Sequence, residues 1–332
     1  MEMVKKVCFA AVAAAFFLVP YLLPAAKDWA PGIAVLCGII FAVSWGNPFA
    51  AFTSRITSQL LGATIVGMGC GMNLVAVLRA GAGGIIYTVI GICAGIGLGV
   101  FLGKKLNLSK NCMYLLSVGT SICGGSAIAA AAPVLKAKSH DIAIASATVF
   151  SLNAVALLIF PVIGHALGFT QEQFGYWAAL GIHDTSSVVG AGMQYGDVAL
   201  EVGTTVKLAR ALWIVPVTLY LSCCVADVEA GEKRKIKLRV PWFIPGFLVA
   251  AAVVTWLPQM LPSTAGMVKC AGGAVKDISK YLMVTTLFLI GANLSREKLR
   301  ELGVKPFIHG ALLWLVLASG WCAAIYFKVV KC

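Results

Sequence analysis

Charge is what this sequence has least of. Asp, Glu, Lys and Arg together make up 12% of its 332 residues, about half the share of a soluble domain. A chain so poor in charge cannot cover itself in water, which excludes a soluble enzyme, a disordered segment and a small secreted module. Acidic groups are the scarcest, 13 against 26 Lys and Arg, for a net charge of +13. The 4 histidines (His140, His165, His183, His309) are dispersed, and the 11 cysteines contain no C-x-x-C pair. That spacing supplies neither a metal-ligand set nor a disulfide framework, so the sulfurs read as small hydrophobes between helices. No G-x-S-x-G elbow or His-Glu-x-x-His occurs, so no enzyme and no cofactor is expected.

Long runs free of charge are abundant. They cover 7–26, 29–54, 56–78, 80–103, 111–135, 142–171, 240–268 and 306–327, each able to supply the roughly 20 apolar residues that cross a bilayer. Shorter runs at 211–226 and 281–295 become spans once their polar ends snorkel. The expectation is an all-α polytopic membrane protein of about nine to eleven crossings, a single domain over 1–332. Residues 7–23 after Lys5 and Lys6 resemble a signal peptide but are long for one, and the Pro24-Ala25-Ala26-Lys27 end makes a poor cleavage site, so the stretch is taken as the first span.

The basic residues flank the runs, which assigns most of the charge to the positive-inside bias rather than to nucleic acid. Lys5 and Lys6 place the N-terminus in the cytoplasm, and Arg55, Lys104, Lys105, Lys110, the 233–239 cluster, Arg296, Lys298, Arg300 and Lys305 then also fall inside. Lys27, Arg79, Lys269, Lys276 and Lys280 fall outside.

Two segments are not simple spans. Tyr114 to Ser126 and Tyr176 to Gly190 each have an apolar half, a Gly/Ser/Thr-rich break and a small-residue half. Breaks free backbone groups that lipid cannot satisfy, so they survive where they line a cavity, and in transporters they mark binding sites. The sequence following each break corresponds: Asp141 leads to a span ending Phe160-Pro161-Val162, and Asp197 to one ending Val215-Pro216-Val217. Gly71-Met72-Asn73-Leu74 likewise matches Gly291-Ala292-Asn293-Leu294. These correspondences suggest an inverted repeat in permuted order, 60–166 and 175–328. An inverted repeat favours re-entrant hairpins at both breaks, with a crossing at 112–138 as the open alternative.

Lys207 and Arg210 lie three apart on one helical face. A central basic residue costs roughly 2.5–3.5 kcal/mol on insertion scales, so the pair needs a partner or a purpose. One reading pairs them with Asp184 or Glu201 or lets them snorkel. The preferred reading is an anion site completed by the positive N-terminal ends of the half-helices, lined by Thr120, Ser121, Gly124, Gly125, Ser126, Thr185, Ser186 and Ser187. His183 and Asp184 serve coupling or charge balance, together with Glu201 and Asn153; Asn153 reads equally as a bond between helices.

The strings Gly119-Thr-Ser-Ile-Cys-Gly-Gly-Ser-Ala-Ile128 and His183-Asp-Thr-Ser-Ser-Val-Val-Gly190 resemble the YeiH-like family of bacterial inner-membrane proteins, a family named for sulfate export. That resemblance, which covers almost the whole chain, implies a secondary carrier of an inorganic or small organic anion, distantly similar to bile acid and 2-hydroxycarboxylate carriers. The expected partners are a small anion, sulfate or a related sulfur oxyanion among them, and membrane lipid, with a coupling proton or sodium ion, no nucleic acid, and a homodimer left open. The alternatives are a proton or cation exchanger built on Asp184 and a non-transporting membrane sensor or enzyme.

Overall fold

A computed structural model describes residues 2–22, 29–224, 241–294 and 303–330. Lys27, the basic cluster at 233–239, and Arg296, Lys298 and Arg300 lie outside these residues. All regular elements described are helical: α1 Glu2–Leu22, α2 Ala30–Ser44, α3 Ala50–Gly69, α4 Leu74–Lys105, α5 Lys110–Ser121, α6 Gly125–Val134, α7 Ser139–Ala166, α8 Gln171–Gly181, α9 Thr185–Tyr195, α10 Asp197–Ala211, α11 Ile214–Cys224, α12 Phe243–Met260, α13 Ala265–Ala292 and α14 Val304–Tyr326, with a 3-10 turn at Pro262–Thr264. Among them 5 segments are long and apolar enough to cross a bilayer: Leu74–Lys105, Ser139–Ala166, Asp197–Cys223, Phe243–Met260 and Val304–Tyr326. The chain is a multi-pass, all-α membrane protein.

Local chemistry starts several of these helices. Asn73 caps α4 by accepting from the amides of Val75 and Ala76, Ser109 caps α5 through the Cys112 amide, and Thr170 with Gln173 forms a capping box on α8. Glycine then sets how closely the helices approach. A Cβ at Gly95 would lie 2.2 Å from Ser121 Oγ, one at Gly99 2.2 Å from Ser117 Oγ, and one at Gly103 2.3 Å from Met113 Cγ. Gly95, Gly99 and Gly103 therefore form a groove that seats α5, as small-residue spacing in membrane helices provides.

A second close crossing joins α2 to α13. A Cβ at Gly38 would stand 2.2 Å from the Phe288 carbonyl oxygen, and one at Gly291 2.3 Å from that of Val35. Backbone meets backbone here, with no flexible side chain to give way. Gly38→Val is expected to force the pair apart and cost about 1–3 kcal/mol, read as a lower unfolding temperature in detergent; an unchanged temperature would mean that the crossing is looser.

Helices α1, α2, α3 and α12 pack around α13, and α4, α5, α7, α8, α9, α10 and α14 form a second group. Their directions follow from paired ends. Lys5 Nζ donates to the Trp45 carbonyl at 3.1 Å, so α1 and α2 run antiparallel. The sequence of α5 and α6 does not cross. Ser109 Oγ, just before α5, donates to Asp141 Oδ1 at 2.8 Å in the first turn of α7, and Ile128 of α6 lies against Gly119 of α5. The chain thus enters, turns at 122–124 and leaves by the same end. α7 then carries it across. α8 and α9 repeat the manoeuvre from the other end: the Val198 amide donates to Gln171 Oε1 at 2.9 Å, and the Phe174 and Tyr195 rings stack with centroids 3.8 Å apart. Of the two topologies the sequence left open, the re-entrant one is present at both breaks. The 12 residues of α5 and the 11 of α8 reach about 18 Å and 16 Å at 1.5 Å per residue, which brings the turns to the middle of a roughly 30 Å hydrocarbon layer.

Candidate functional site

The two turns meet. Gly124, at φ +65° and ψ −127°, begins α6 in a conformation that L side chains rarely adopt. A Cβ there would lie 3.5 Å from Asp184 Cβ. The start of α6 therefore abuts the residue that caps α9. Asp184 accepts from the Ser186 amide at 3.2 Å and from the Ser186 hydroxyl. Both N-termini carry partial positive charge, so the carboxylate sits where two helix dipoles favour it.

The C-terminal ends of α5 and α8 converge on the opposite side of the crossover. There the last carbonyls lack helical partners and cannot turn to water. Lys207, fully buried on α10, donates from Nζ to the carbonyls of Ile122 at 3.0 Å, Ala179 at 3.4 Å and Ile182 at 2.6 Å. Arg210, one turn later and 1% exposed, donates from Nε to Ser121 at 2.8 Å, from Nη2 to Ser121 at 2.5 Å, and from Nη1 to Ala179 at 3.0 Å and Leu180 at 2.6 Å. Trp314 Nε1 takes the remaining carbonyl, Gly181, at 3.0 Å. Two cations and one indole thus close the ends of both half-helices. Charged donors also suit the negative ends of the helix dipoles, and hydrogen bonds to charged groups are worth roughly 1.5–3 kcal/mol each.

This geometry bears directly on the sequence readings. Lys207 and Arg210 pair with neither Asp184 nor Glu201: no ion pair joins them, and the hydrogen bonds found for both go to backbone carbonyls. Glu201 is half-buried earlier on α10, and the ion pair at that end of the helix is made by Asp197 with Lys280 Nζ at 2.5 Å. Thr120 and Ser121 are buried at the end of α5, with hydroxyls that lack hydrogen-bond partners. Gly125 packs under the Phe150 ring, whereas Ser126 is exposed. Thr185, Ser186 and Ser187 form the first turn of α9, buried. His183 is 2% exposed, its ring edge-to-face with Trp314 at 6.4 Å between centroids.

Asn153 is the residue whose role the fold defines best. Its Oδ1 accepts from the amides of His183 and Asp184, both at 3.2 Å, and holds the second break from α7. Asn153→Leu would orphan both amides and is expected to cost about 2–4 kcal/mol, roughly 1–3 for each amide less what is regained by removing the unpartnered Nδ2. Thermal unfolding in detergent checks this; an unchanged unfolding temperature would mean that the two amides find another acceptor. A small cavity of about 10 Å³ opens beside Asn153, Asp184 and Ser187, closed on the far side by Val35 of α2 and by Leu287 and Ile290 of α13.

Comparison with known proteins fits this arrangement to a family. Residues 7–310 match the family described as Conserved hypothetical protein 698. The chain belongs to it. This is the YeiH family that the two strings around the breaks indicated. Relatives in the family include the UPF0324 membrane protein Bd1437 of Bdellovibrio bacteriovorus, 51% identical over 88% of this chain and 87% of its own. A UPF0324 membrane protein of Bacteroides thetaiotaomicron is 44% identical over 94% of this chain and 92% of its own. UPF0324 membrane protein GSU2818 of Geobacter sulfurreducens is 45% identical over 86% and 87%. No solved structure matches the chain.

In this YeiH family member, Trp314 and the apolar wall from α2 and α13 carry no mark in the sequence. No local pattern marks an indole as the partner of a carbonyl 133 positions away. The wall residues look like any lipid-facing or core side chain.

Proposed function

We propose that the chain is a secondary transporter of a small anion, sulfate or a related sulfur oxyanion, working by alternating access in the bacterial inner membrane. One observation carries the reading: two re-entrant hairpins enter from opposite ends and meet turn to turn, with the N-terminus of α9, abutted by that of α6, beside a cavity walled on its far side by a separate helix group. Helix N-termini facing a cavity at mid-membrane are how transporters hold anionic solutes. In this reading α4 to α11 and α14 translocate, α1 to α3, α12 and α13 form the scaffold, and 60–166 and 175–328 are inverted copies. Lys207 and Arg210 keep the breaks open rather than touch the anion. Lys5, Lys6, Arg55, Lys104, Lys105, Lys110, Lys136, Lys138 and Lys305 gather at the end where α1 begins, which supports a cytoplasmic N-terminus.

The test is counterflow of labelled sulfate and labelled thiosulfate into proteoliposomes. Saturable uptake into loaded vesicles, absent from protein-free ones, is the expected result; no uptake of either anion, or of sulfonates, would contradict the reading. The position of Asp184 on the cavity favours one other reading, exchange of protons or sodium with Asp184 as ligand. Sodium or proton flux with no transported anion present would support that instead.

A further inference from the structure

Asn153 and Asp184 make opposite demands on whatever enters the cavity. Because Asn153 Oδ1 is taken by the His183 and Asp184 amides, the orientation of its amide is set and Nδ2 is left as the donor. That nitrogen is buried without a partner on a residue 3% exposed. A buried donor without a partner costs free energy and calls for an acceptor. The first turn of α9 and the Ser187 hydroxyl call for the same. Asp184 does not: its carboxylate shares the cavity, and an oxyanion arriving there would meet like charge in a setting of low dielectric.

The groups around Asp184 do not remove the conflict. From α10, Lys207 attracts the Asp184 charge from a distance, but it and Arg210 direct their hydrogen bonds at carbonyls rather than into the cavity. From the first break come Cys123 and Gly124, and His183 adjoins it on its own break. α7 presents Asn153, while α2 and α13 present only apolar side chains. A protonated Asp184 resolves it, since the acid then donates a third hydrogen bond alongside Asn153 and Ser187.

We propose that an oxyanion and a proton on Asp184 occupy this cavity together, so that each anion binds with one proton. The inference rests on the anion reading above and specifies its coupling. In the form described the cavity has room for one water-sized body, so the α2–α13 wall retreats when the anion enters.

The experiment measures binding of sulfate, thiosulfate and methanesulfonate to the purified chain by calorimetry between about pH 5 and pH 8, where none of these probes changes its charge. Affinity for at least one is expected to fall about tenfold per pH unit on the alkaline side, the slope of one linked proton. Asp184→Asn keeps a neutral donor and the helix cap, and its affinity should not vary with pH. In vesicles containing a pH dye, the native chain should acidify the lumen by one proton for each anion taken up. Flat binding in the native chain, a slope that survives in Asp184→Asn, or anion uptake without acidification would overturn the proposal and leave the anion reading intact. No binding of any probe at any pH would remove both.

Discussion

Arg210→Met is expected to destabilise the chain more than any other single substitution considered above. Methionine fills similar volume and suits an apolar surround, so a cavity is not the cause. What is lost are the donors to Ser121 and Leu180, with Ala179 left only a 3.4 Å contact from Lys207. Lipid offers these carbonyls no water. At about 1–3 kcal/mol for each orphaned group, the loss is on the order of 3–6 kcal/mol, a large part of a typical total stability of roughly 5–15 kcal/mol. The unfolding temperature in detergent should fall by about 10 °C or more. Arg210→Lys retains charge but reaches fewer carbonyls, and should fall between. If Arg210→Met unfolds with the native chain, the breaks are held by something other than these bonds.

Joining the two helix groups should abolish transport. Gly32 of α2 lies against Gln194 of α9, a Cβ at Gly32 standing 2.9 Å from Gln194 Oε1. These residues lie on the two helix groups that wall the cavity, α2 on one side and α9 on the other, and a space of about 10 Å³ cannot admit a tetrahedral oxyanion unless the walls part. In a background cleared of the 11 native cysteines, Gly32→Cys with Gln194→Cys bridged by a short bifunctional reagent is expected to lose nearly all anion uptake. Each single variant treated with the same reagent should keep most of it. Uptake that persists in the bridged protein would mean that the groups do not separate during the cycle.

Some of this was legible in the sequence and some was not. The membrane fold was, because scarce charge and long apolar runs leave no soluble alternative. The breaks were too: glycine and hydroxyl residues at 119–126 and 181–190 interrupt runs that lipid requires to be helical. The turning-back of both segments was only an inference from a weak repeat, since a hairpin and a kinked crossing have the same composition. Their closure lies in pairs such as Ser109 with Asp141 and Gln171 with Val198. Lys207 and Arg210 were visible as buried cations one turn apart, yet their partners were not. Carbonyls carry no side-chain signature, so a cation that caps a helix end reads like one that awaits an anion. Asn153 was equally ambiguous, and only the position of α7 beside the second break shows what its amide holds.

The most direct test of where the anion sits is a crystal structure with selenate, a tetrahedral anion with its own anomalous signal. A peak is expected within hydrogen-bond distance of Asn153 Nδ2 and Ser187 Oγ, at the N-terminus of α9, with Lys207 and Arg210 still on their carbonyls. A peak bonded to Lys207 or Arg210, with those carbonyls released, would contradict that placement.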